Sequence, residues 1–507
     1  MSVSLRSLVL DGLDRSKLVF PSSGTTVDTL AALDAGVRRF HPGASTGVVA
    51  AMLTNDLPSV ELVLGSIAAG ATLVSIPLPG RAEAPEHYAA FVRNALDTTG
   101  AGSVIARDDI ADLMGSVGIA TVGHASLASD RPLAAPTGDF ELVQFSSGST
   151  ARPKAIRLSS ATLTANITAI LNRVQPRSGD VTISWLPLSH DMGLIGMLLS
   201  SLAATSSGWT DGGEIVLLEP ERFLRQPGIW LDALHHWRGT FTAAPDFGYR
   251  LATTRPTTAA LDLSPLRHAI MGGEVIRSAT INAFEDRFAG SKLSPQAVAP
   301  AYGMAELGLA ATMTRPSERW ISTSHGASDV VSSGTALDGY EIRISADTGQ
   351  IIIDAPALGN LANKPDTAAA VEGSLITNDT GFLSPDGHLF VTGRLDDILV
   401  VHGRNIPALE LEATIGTIPG VRTGRVTAFT VPTGEWIIVA EPDPAVPTTD
   451  IGPLVRGIRQ AAVAASGVAP DTVALIRPGT LPMTSSGKPQ RNEARTRWTT
   501  EAFEILR

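Results

Sequence analysis

Between Thr46 and Pro79 the chain reads TGVVAAMLTNDLPSVELVLGSIAAGATLVSIPLP. An apolar run of strand length is followed by a helical pattern from about Pro58 to Ala69 and by a second buried strand near Leu73 to Ile76, which predicts a βαβ unit. Similar apolar runs recur at Glu141–Phe145, Thr182–Leu186, Glu214–Leu218 and His268–Met271 and alternate with helical stretches such as Ser159–Arg173. This alternation predicts an α/β body with largely parallel sheets. After about Tyr340 the texture changes to short alternating strands with turn signals: GQIIID, then SPDG, HLFVTGR and DILVVHG. The last stretch reads as α+β. Helices are expected at Pro407–Ile415 and at Ile451–Ala465, the second with Leu454, Ile458 and Ala462 on one face, and strands at Arg425–Val431 and Trp436–Val439. The expected class is therefore α/β, with a large N-terminal body of several subdomains over residues 1–395. A small, mobile α+β C-terminal domain is expected over 396–507, the boundary lying between Arg394 and Asp397.

Composition narrows the function classes. The chain has 507 residues, 44% hydrophobic and 18% charged, which excludes a mostly disordered, collagen-like or coiled-coil protein. A net charge of −11, with Lys and Arg scattered, leaves no nucleic-acid footprint, so any phosphate site must be local. The absence of cysteine excludes disulfides, thiolate metal sites and an acyl thioester on this chain, and it fits a cytoplasmic location. The N-terminal apolar stretch is broken by Asp11, Asp14 and Arg15, so no export is expected. Two uncharged windows, Leu62 to Pro79 and Met192 to Thr210, approach membrane-spanning length but are laced with Gly, Ser, Thr or Pro. Buried helix plus strand is the expectation for both.

The segment Phe145-Ser-Ser-Gly-Ser-Thr-Ala-Arg-Pro-Lys154 follows an expected strand and precedes a helix. Gly148 permits close backbone approach to an anion. The hydroxyls of Ser146, Ser147, Ser149 and Thr150 add donors and Lys154 adds positive charge, a set suited to polyphosphate. Without the GxxxxGK[ST] spacing it is not a Walker loop, and by itself such a loop is equally a flexible connector.

FSSGSTARPKAIRLS resembles the phosphate-loop signature of the acyl-adenylate-forming (ANL) superfamily, and four further blocks follow in that superfamily's order: SWLPLSHDMGLIGMLL, PAYGMAELGLA, TNDTGFLSPDGHLFVTGRLDDILVVHGRNI and PMTSSGKPQR. HDMGLIG, Pro245-Asp-Phe-Gly-Tyr249 and the GRN after the hinge are most similar to the fatty acyl-AMP ligase branch. The resemblance spans essentially the whole chain. It implies that a carboxylate attacks the α-phosphorus of ATP while pyrophosphate leaves, a reaction catalysed by positioning and charge neutralisation.

Residue by residue, the resemblance implies that Glu306 ligands Mg²⁺ and that Tyr302, Gly303 and Met304 lie along the adenine with Gly273 and Glu274 nearby. It further implies that Asp379 accepts the ribose hydroxyls, that Arg394 contacts the same ribose, and that Asp396 is the hinge. Lys488, in SSGK, would place its ammonium between the acid and the α-phosphate. A solvated acid remains the plain reading of Glu306, as a surface ion pair does for Arg394. His190, grouped with the catalytic residues, reads as a wall or gate rather than a base, because the nucleophile is already a carboxylate; a packed core histidine is the alternative. Asp191, Met192, Asp246 and Phe247 are expected to line the substrate pocket, with Leu194, Ile195, Met197, Leu198 and Tyr249 lining it or belonging to plain core.

Some positions depart from the pattern. Asn378 replaces a glycine before Asp379, no branch-specific insertion is legible near Gln350 to Asn378, and Asp246 stands where the branch commonly has Asn. An unpaired carboxylate beside an aliphatic tail would be unfavourable, which raises a polar or amine-bearing acid as substrate. The expected cofactors are ATP and Mg²⁺, and the expected acceptor is the phosphopantetheine thiol of a carrier protein, with Arg456 and Arg459 as candidate docking charges. The alternatives are free CoA as acceptor, an amino- or aryl-acid activating enzyme, and a non-catalytic nucleotide-binding homologue.

Overall fold

The computed structural model describes residues 4–39, 47–79, 85–127, 138–146, 154–254, 260–325, 328–361, 364–368, 370–371, 373–395, 398–401, 404–483 and 489–506. The βαβ expectation is met: Val48–Ala51 and Thr72–Ser75 are parallel neighbours joined by the helix Leu57–Ala69. Asp56 caps that helix by accepting the Ser59 N–H at 3.0 Å, and Gly70 closes it at φ 64°. From Ser59 to Ala69 every residue is buried, which explains why the segment reads as apolar all round rather than amphipathic.

Two large sheets form the body. The first runs, in spatial order, from Glu341–Ile344 through Gln350–Asp354, Ser374–Leu383, His388–Arg394, Ser328–Ala336 and Ala310–Met313. It continues through Val298–Gly303, His268–Met271, Phe241–Ala244, Val181–Ser184, Glu214–Leu217 and Lys17–Phe20 to Thr25–Asp28. The run from Val298–Gly303 to Lys17–Phe20 is parallel; the late strands add to it antiparallel. Of the β-rich texture after Tyr340, Glu341–Ile344, Gln350–Asp354, Ser374–Leu383 and His388–Arg394 extend the main sheet, whereas Ile398–Val401, within DILVVHG, pairs with Arg404–Pro407 in a separate hairpin. The second sheet is ordered Lys364–Ala368, Asn360–Leu361, Lys154–Ser159, Glu141–Ser146, Thr72–Ser75, Val48–Ala51, Val104–Ala106 and Thr121–Gly123.

One apolar cluster joins the sheets. It contains Val49, Leu73 and Leu142 of the second, Leu18, Ile215 and Leu217 of the first, and Leu64, Leu163, Ile167, Leu194 and Leu198 from helices between them. The window Met192 to Thr210 supplies part of this layer, and here the expectation of helix plus strand is corrected. It is a π-helix, Met192–Leu199, continued by the α-helix Ser200–Ser206, with Met192 through Leu199 all buried. Among the described residues no helix is long and apolar enough to cross a membrane.

The cores divide between Leu389 and Leu399. Two clusters lie wholly within residues 399–506, built on a three-stranded sheet, Val421–Thr430, Trp436–Pro442 and Thr472–Leu475, with the helices Ala408–Ile415, Ile451–Ser466 and Arg491–Thr499. Leu454, Ile458 and Ala462 form the buried face of Ile451–Ser466, as its periodicity indicates.

Asn55 ties the two sheets at their carboxyl ends. Its Nδ2 donates to Leu186 O at 3.0 Å and Leu218 O at 2.8 Å, while its Oδ1 accepts the Leu188 N–H at 3.0 Å. Asn55→Ala leaves these buried groups unpaired, so we expect a loss of about 1–3 kcal/mol in denaturant unfolding. A second expectation concerns pH. Burial beside Arg267 pushes His268 down from 6.5 to about 4. The unfolded chain therefore takes this proton first; the contribution is whole above pH 6.5 and is lost as pH falls toward about 4. Melting temperature against pH should fall across that window and flatten in His268→Asn.

Candidate active site

The carboxyl ends of four adjacent parallel strands deliver the candidate residues to one edge, the usual ligand position in an open α/β sheet. Val181–Ser184 leads to His190, Asp191 and Met192; Phe241–Ala244 to Asp246 and Phe247; His268–Met271 to Gly273 and Glu274; and Val298–Gly303 to Tyr302, Gly303, Met304 and Glu306. The second sheet brings Lys154 to the same edge, opposite Ser146 in the hairpin of Glu141–Ser146 and Lys154–Ser159. Gly303 must be glycine, since a Cβ there would fall 1.8 Å from the Leu309 carbonyl oxygen. Gly273 takes φ 76° and passes under the Met192 sulfur, which a Cβ would meet at 3.0 Å.

A carboxylate, a phenol and a guanidinium converge on the antiparallel side. The Tyr302 hydroxyl donates to Asp379 Oδ2 at 2.7 Å, and Arg394 Nε lies 3.0 Å from Asp379 Oδ1, an ion-pair separation without hydrogen-bond alignment. Asp379 and Arg394 are directly paired in neighbouring strands, and Thr377 Oγ1 accepts the Asp379 N–H at 3.1 Å. Burial, reinforced by Asp379, pushes the Tyr302 phenol well above its ordinary value, so it stays a donor.

Glu306 sits on the short turn Ala305–Leu307, held from outside by the Gly359 N–H, which donates to the Glu306 carbonyl at 2.7 Å. Burial raises its carboxyl, Lys154 and Arg394 pull it down, and Asp191 raises it again, so these four side chains share one electrostatic environment. Among the described residues no group of three or more His, Asp or Glu forms a cation cage. Mg²⁺ ordinarily binds through one or two carboxylates plus substrate phosphates, and a partly buried Glu306 in the field of Lys154 and Arg394 fits that mode.

Residues 39–362 match the family described as AMP-binding enzyme. The chain belongs to this family. A long-chain-fatty-acid–AMP ligase of Mycobacterium marinum, FadD26, is 29% identical over 526 residues, covering 90% of this chain and 88% of that protein. A Caulobacter vibrioides protein, whose name assigns it provisionally to the acyl-CoA synthetases, is 33% identical over 469 residues, covering 83% and 79%. A solved structure described as coming from studies of fatty acyl-adenylate ligases of E. coli and L. pneumophila superposes with a TM-score of 0.87 at 26% identity, covering 99% of this chain and 98% of that one.

Within this AMP-binding enzyme some expected residues take other roles, and some lie outside the described residues. The latter are Ser147, Gly148, Ser149, Thr150, Asp396 and Lys488, together with the side chain of Ser146. His190 is not a packed core histidine: its side chain is 43% exposed and its Nδ1 lies 2.5 Å from Asp191 Oδ1. Asp191 also accepts the Met192 N–H at 2.7 Å and so caps the π-helix. Leu194, Ile195, Met197, Leu198 and Tyr249 are core in this structure, and the Tyr249 hydroxyl donates to the Ile270 carbonyl at 2.9 Å. Phe247 packs edge-on against Trp185, with its N–H donating to Glu274 Oε1 at 2.6 Å. Glu274 thus serves the start of the helix Asp246–Thr254. Of the two candidate docking charges, Arg459 is half-buried and donates to the Pro470 and Asp471 carbonyls.

Asp246 is corrected. It is 0% exposed, and its carboxylate accepts the Arg277 N–H at 3.0 Å and faces Arg277 Nη1 at 3.0 Å and Arg250 Nη1 at 3.4 Å. The carboxylate is paired on both sides, so Asp246 gives no reason to expect a polar or amine-bearing acid. We expect Asp246→Asn to lose about 1–3 kcal/mol of stability by weakening this buried, charged contact. The ranking of acids it accepts should be unchanged, a result checked by thermal denaturation alongside an acid panel.

Proposed function

We propose that the chain activates a carboxylic acid, most simply a fatty acid, to an acyl-adenylate. One acid oxygen bonds to the α-phosphorus of ATP, the bond from that phosphorus to the bridging oxygen breaks, and pyrophosphate departs. No proton moves in this step. The observation that carries the reading is the meeting, at one strand edge, of the Tyr302–Asp379–Arg394 cluster with Glu306 and Lys154. Asp379 suits the ribose diol because a carboxylate accepts two hydroxyls, and Tyr302 fixes its orientation. Lys154 would offset phosphate charge, Arg394 would contact the ribose beside Asp379, and Glu306 would hold Mg²⁺, which would supply charge neutralisation for the phosphates. Lys488, which follows the hinge at Asp396 in sequence, is assigned to the charge growing between acid and α-phosphate.

The acyl group then passes to a thiol that attacks the carbonyl and releases AMP. Having no cysteine, the chain needs an outside acceptor. The phosphopantetheine of a carrier protein is the acceptor we assign, supported by the likeness to FadD26, whose name is that of an AMP ligase. Free CoA is the second reading, favoured by the 33% identity to the Caulobacter protein. Both ATP and acceptor would be drawn from the cytoplasm.

We expect ATP–pyrophosphate exchange that requires both Mg²⁺ and an acid, strongest with fatty acids in a panel of fatty, aryl and amino acids. Nucleotide binding without exchange for any acid would reject adenylation. Mass spectrometry after incubation with holo-carrier or with CoA decides the acceptor; efficient acyl-CoA formation without carrier acylation would reject the carrier.

A further inference from the structure

The helix Ser160–Val174 carries one amide in an apolar setting. Asn166 is 0% exposed and shares the helix with the buried Leu163, Ile167, Ile170 and Leu171. Its Oδ1 accepts the Ala310 N–H at 3.1 Å, and its Nδ2 donates to the Ala310 carbonyl at 2.7 Å and to the Tyr340 hydroxyl at 2.6 Å. Both amide hydrogens are therefore used, and both backbone groups of Ala310 are held. One turn earlier on the same face, Thr162 donates from Oγ1 to the Leu358 carbonyl at 3.4 Å, and the next residue, Gly359, gives its N–H to the Glu306 carbonyl at 2.7 Å.

These bonds enclose the turn that bears Glu306. Ala310 is paired with Gly303, at a register shift between Tyr302 and Gly303, so residues 303–310 form a short loop whose two ends are fixed against each other. Gly308 lies within it at φ 93°, a conformation costly to other residues, and a Cβ there would stand 3.3 Å from the Asn166 Cβ. Leu307, beside Glu306, is fully buried. A buried amide costs stability unless it is hydrogen-bonded, and an apolar side chain would fill this layer without that demand. What Asn166 adds is the position of the loop, and with it the Glu306 carboxyl, which shares its surroundings with Lys154, Arg394 and Asp191.

We propose that Asn166 is a positioning residue for the metal–nucleotide complex: by holding both backbone groups of Ala310 it sets where Glu306 presents its carboxylate. The proposal rests on the reading of Glu306 as the Mg²⁺ ligand. Asn166 bonds to Ala310 and Tyr340 rather than to Glu306, so its effect passes through the loop. A displacement of about 1 Å at a reacting group can lower a rate by about 10²-fold. Nucleotide contacts that need no metal are held separately, since Tyr302 is fixed by Asp379.

The test uses the full chain, the variants Asn166→Ala, Asn166→Ser and Glu306→Gln, and the double variant Asn166→Ala with Glu306→Gln. Calorimetry gives Kd for α,β-methylene-ATP with and without Mg²⁺, and acid-dependent pyrophosphate exchange is measured alongside. In Asn166→Ala the strengthening of binding by Mg²⁺ should shrink by about 10-fold, and kcat for exchange should fall by about 10-fold or more. Kd without metal should stay within roughly 3-fold of the parent. In the Glu306→Gln background the same change should cost less than about 2-fold in either quantity, because the route it acts through is gone. Asn166→Ser has a hydroxyl that can bond within its own helix but cannot hold both groups of Ala310, so it tests the proposal where Asn166→Ala folds poorly. An unchanged Mg²⁺ effect in Asn166→Ser, equal losses with and without metal, or equal cost in both backgrounds would overturn it. A full Mg²⁺ effect in Glu306→Gln would instead overturn the reading of Glu306 beneath it.

Discussion

The two sheets of the body share one layer of buried helices, and the position of the active edge follows from that. Leu57–Ala69, Ser160–Val174 and the π-helix pack their side chains into a cluster that both sheets contribute to, so neither sheet can turn away without exposing it. Burial of such side chains is worth about 25 cal/mol per Å² of apolar surface, and the layer is continuous. The carboxyl ends of both parallel runs are thereby held side by side, with Asn55 bonded across the junction. Lys154 from one sheet comes within electrostatic reach of Glu306 on the other for this reason, although they are far apart in the chain.

The antiparallel extension of the first sheet adds the remaining groups. Ser374–Leu383 and His388–Arg394 place Asp379 and Arg394 in register, and Tyr302 reaches them from the end of the last parallel strand. The chain then leaves for the C-terminal domain. A site built this way takes its described parts from strand ends of one continuous sheet and from the hairpin of the second.

Much of this was legible in the sequence, because buried parallel strands are written as short apolar runs: His268–Met271 lies where its pattern puts it, and Glu141–Ser146 within a residue. Asp379 and Arg394 were legible through the blocks around them. Asn55 was not, because a single polar residue after a strand carries no sign that its partners lie in another sheet. Asp246 misled for a related reason: Arg277 and Arg250 neutralise it, and the pairing with Arg277 is set by tertiary structure alone. Glu412 and Glu441 likewise look like ordinary charges of a helix and a strand until their burial is seen. The window from Met192 escaped because an all-apolar run has no period to separate helix from strand.

Attack of a carboxylate oxygen on the α-phosphorus leaves a signature that oxygen labelling reads. A fatty acid carrying ¹⁸O in both carboxyl positions is turned over with ATP and an acceptor thiol, and the nucleotide and phosphate products are weighed by mass spectrometry. Attack at the α-phosphorus leaves one labelled oxygen in AMP when the thiol takes the acyl group, with none in pyrophosphate. Label in inorganic phosphate with ADP as the nucleotide product would place the attack at the γ-phosphorus and contradict the account.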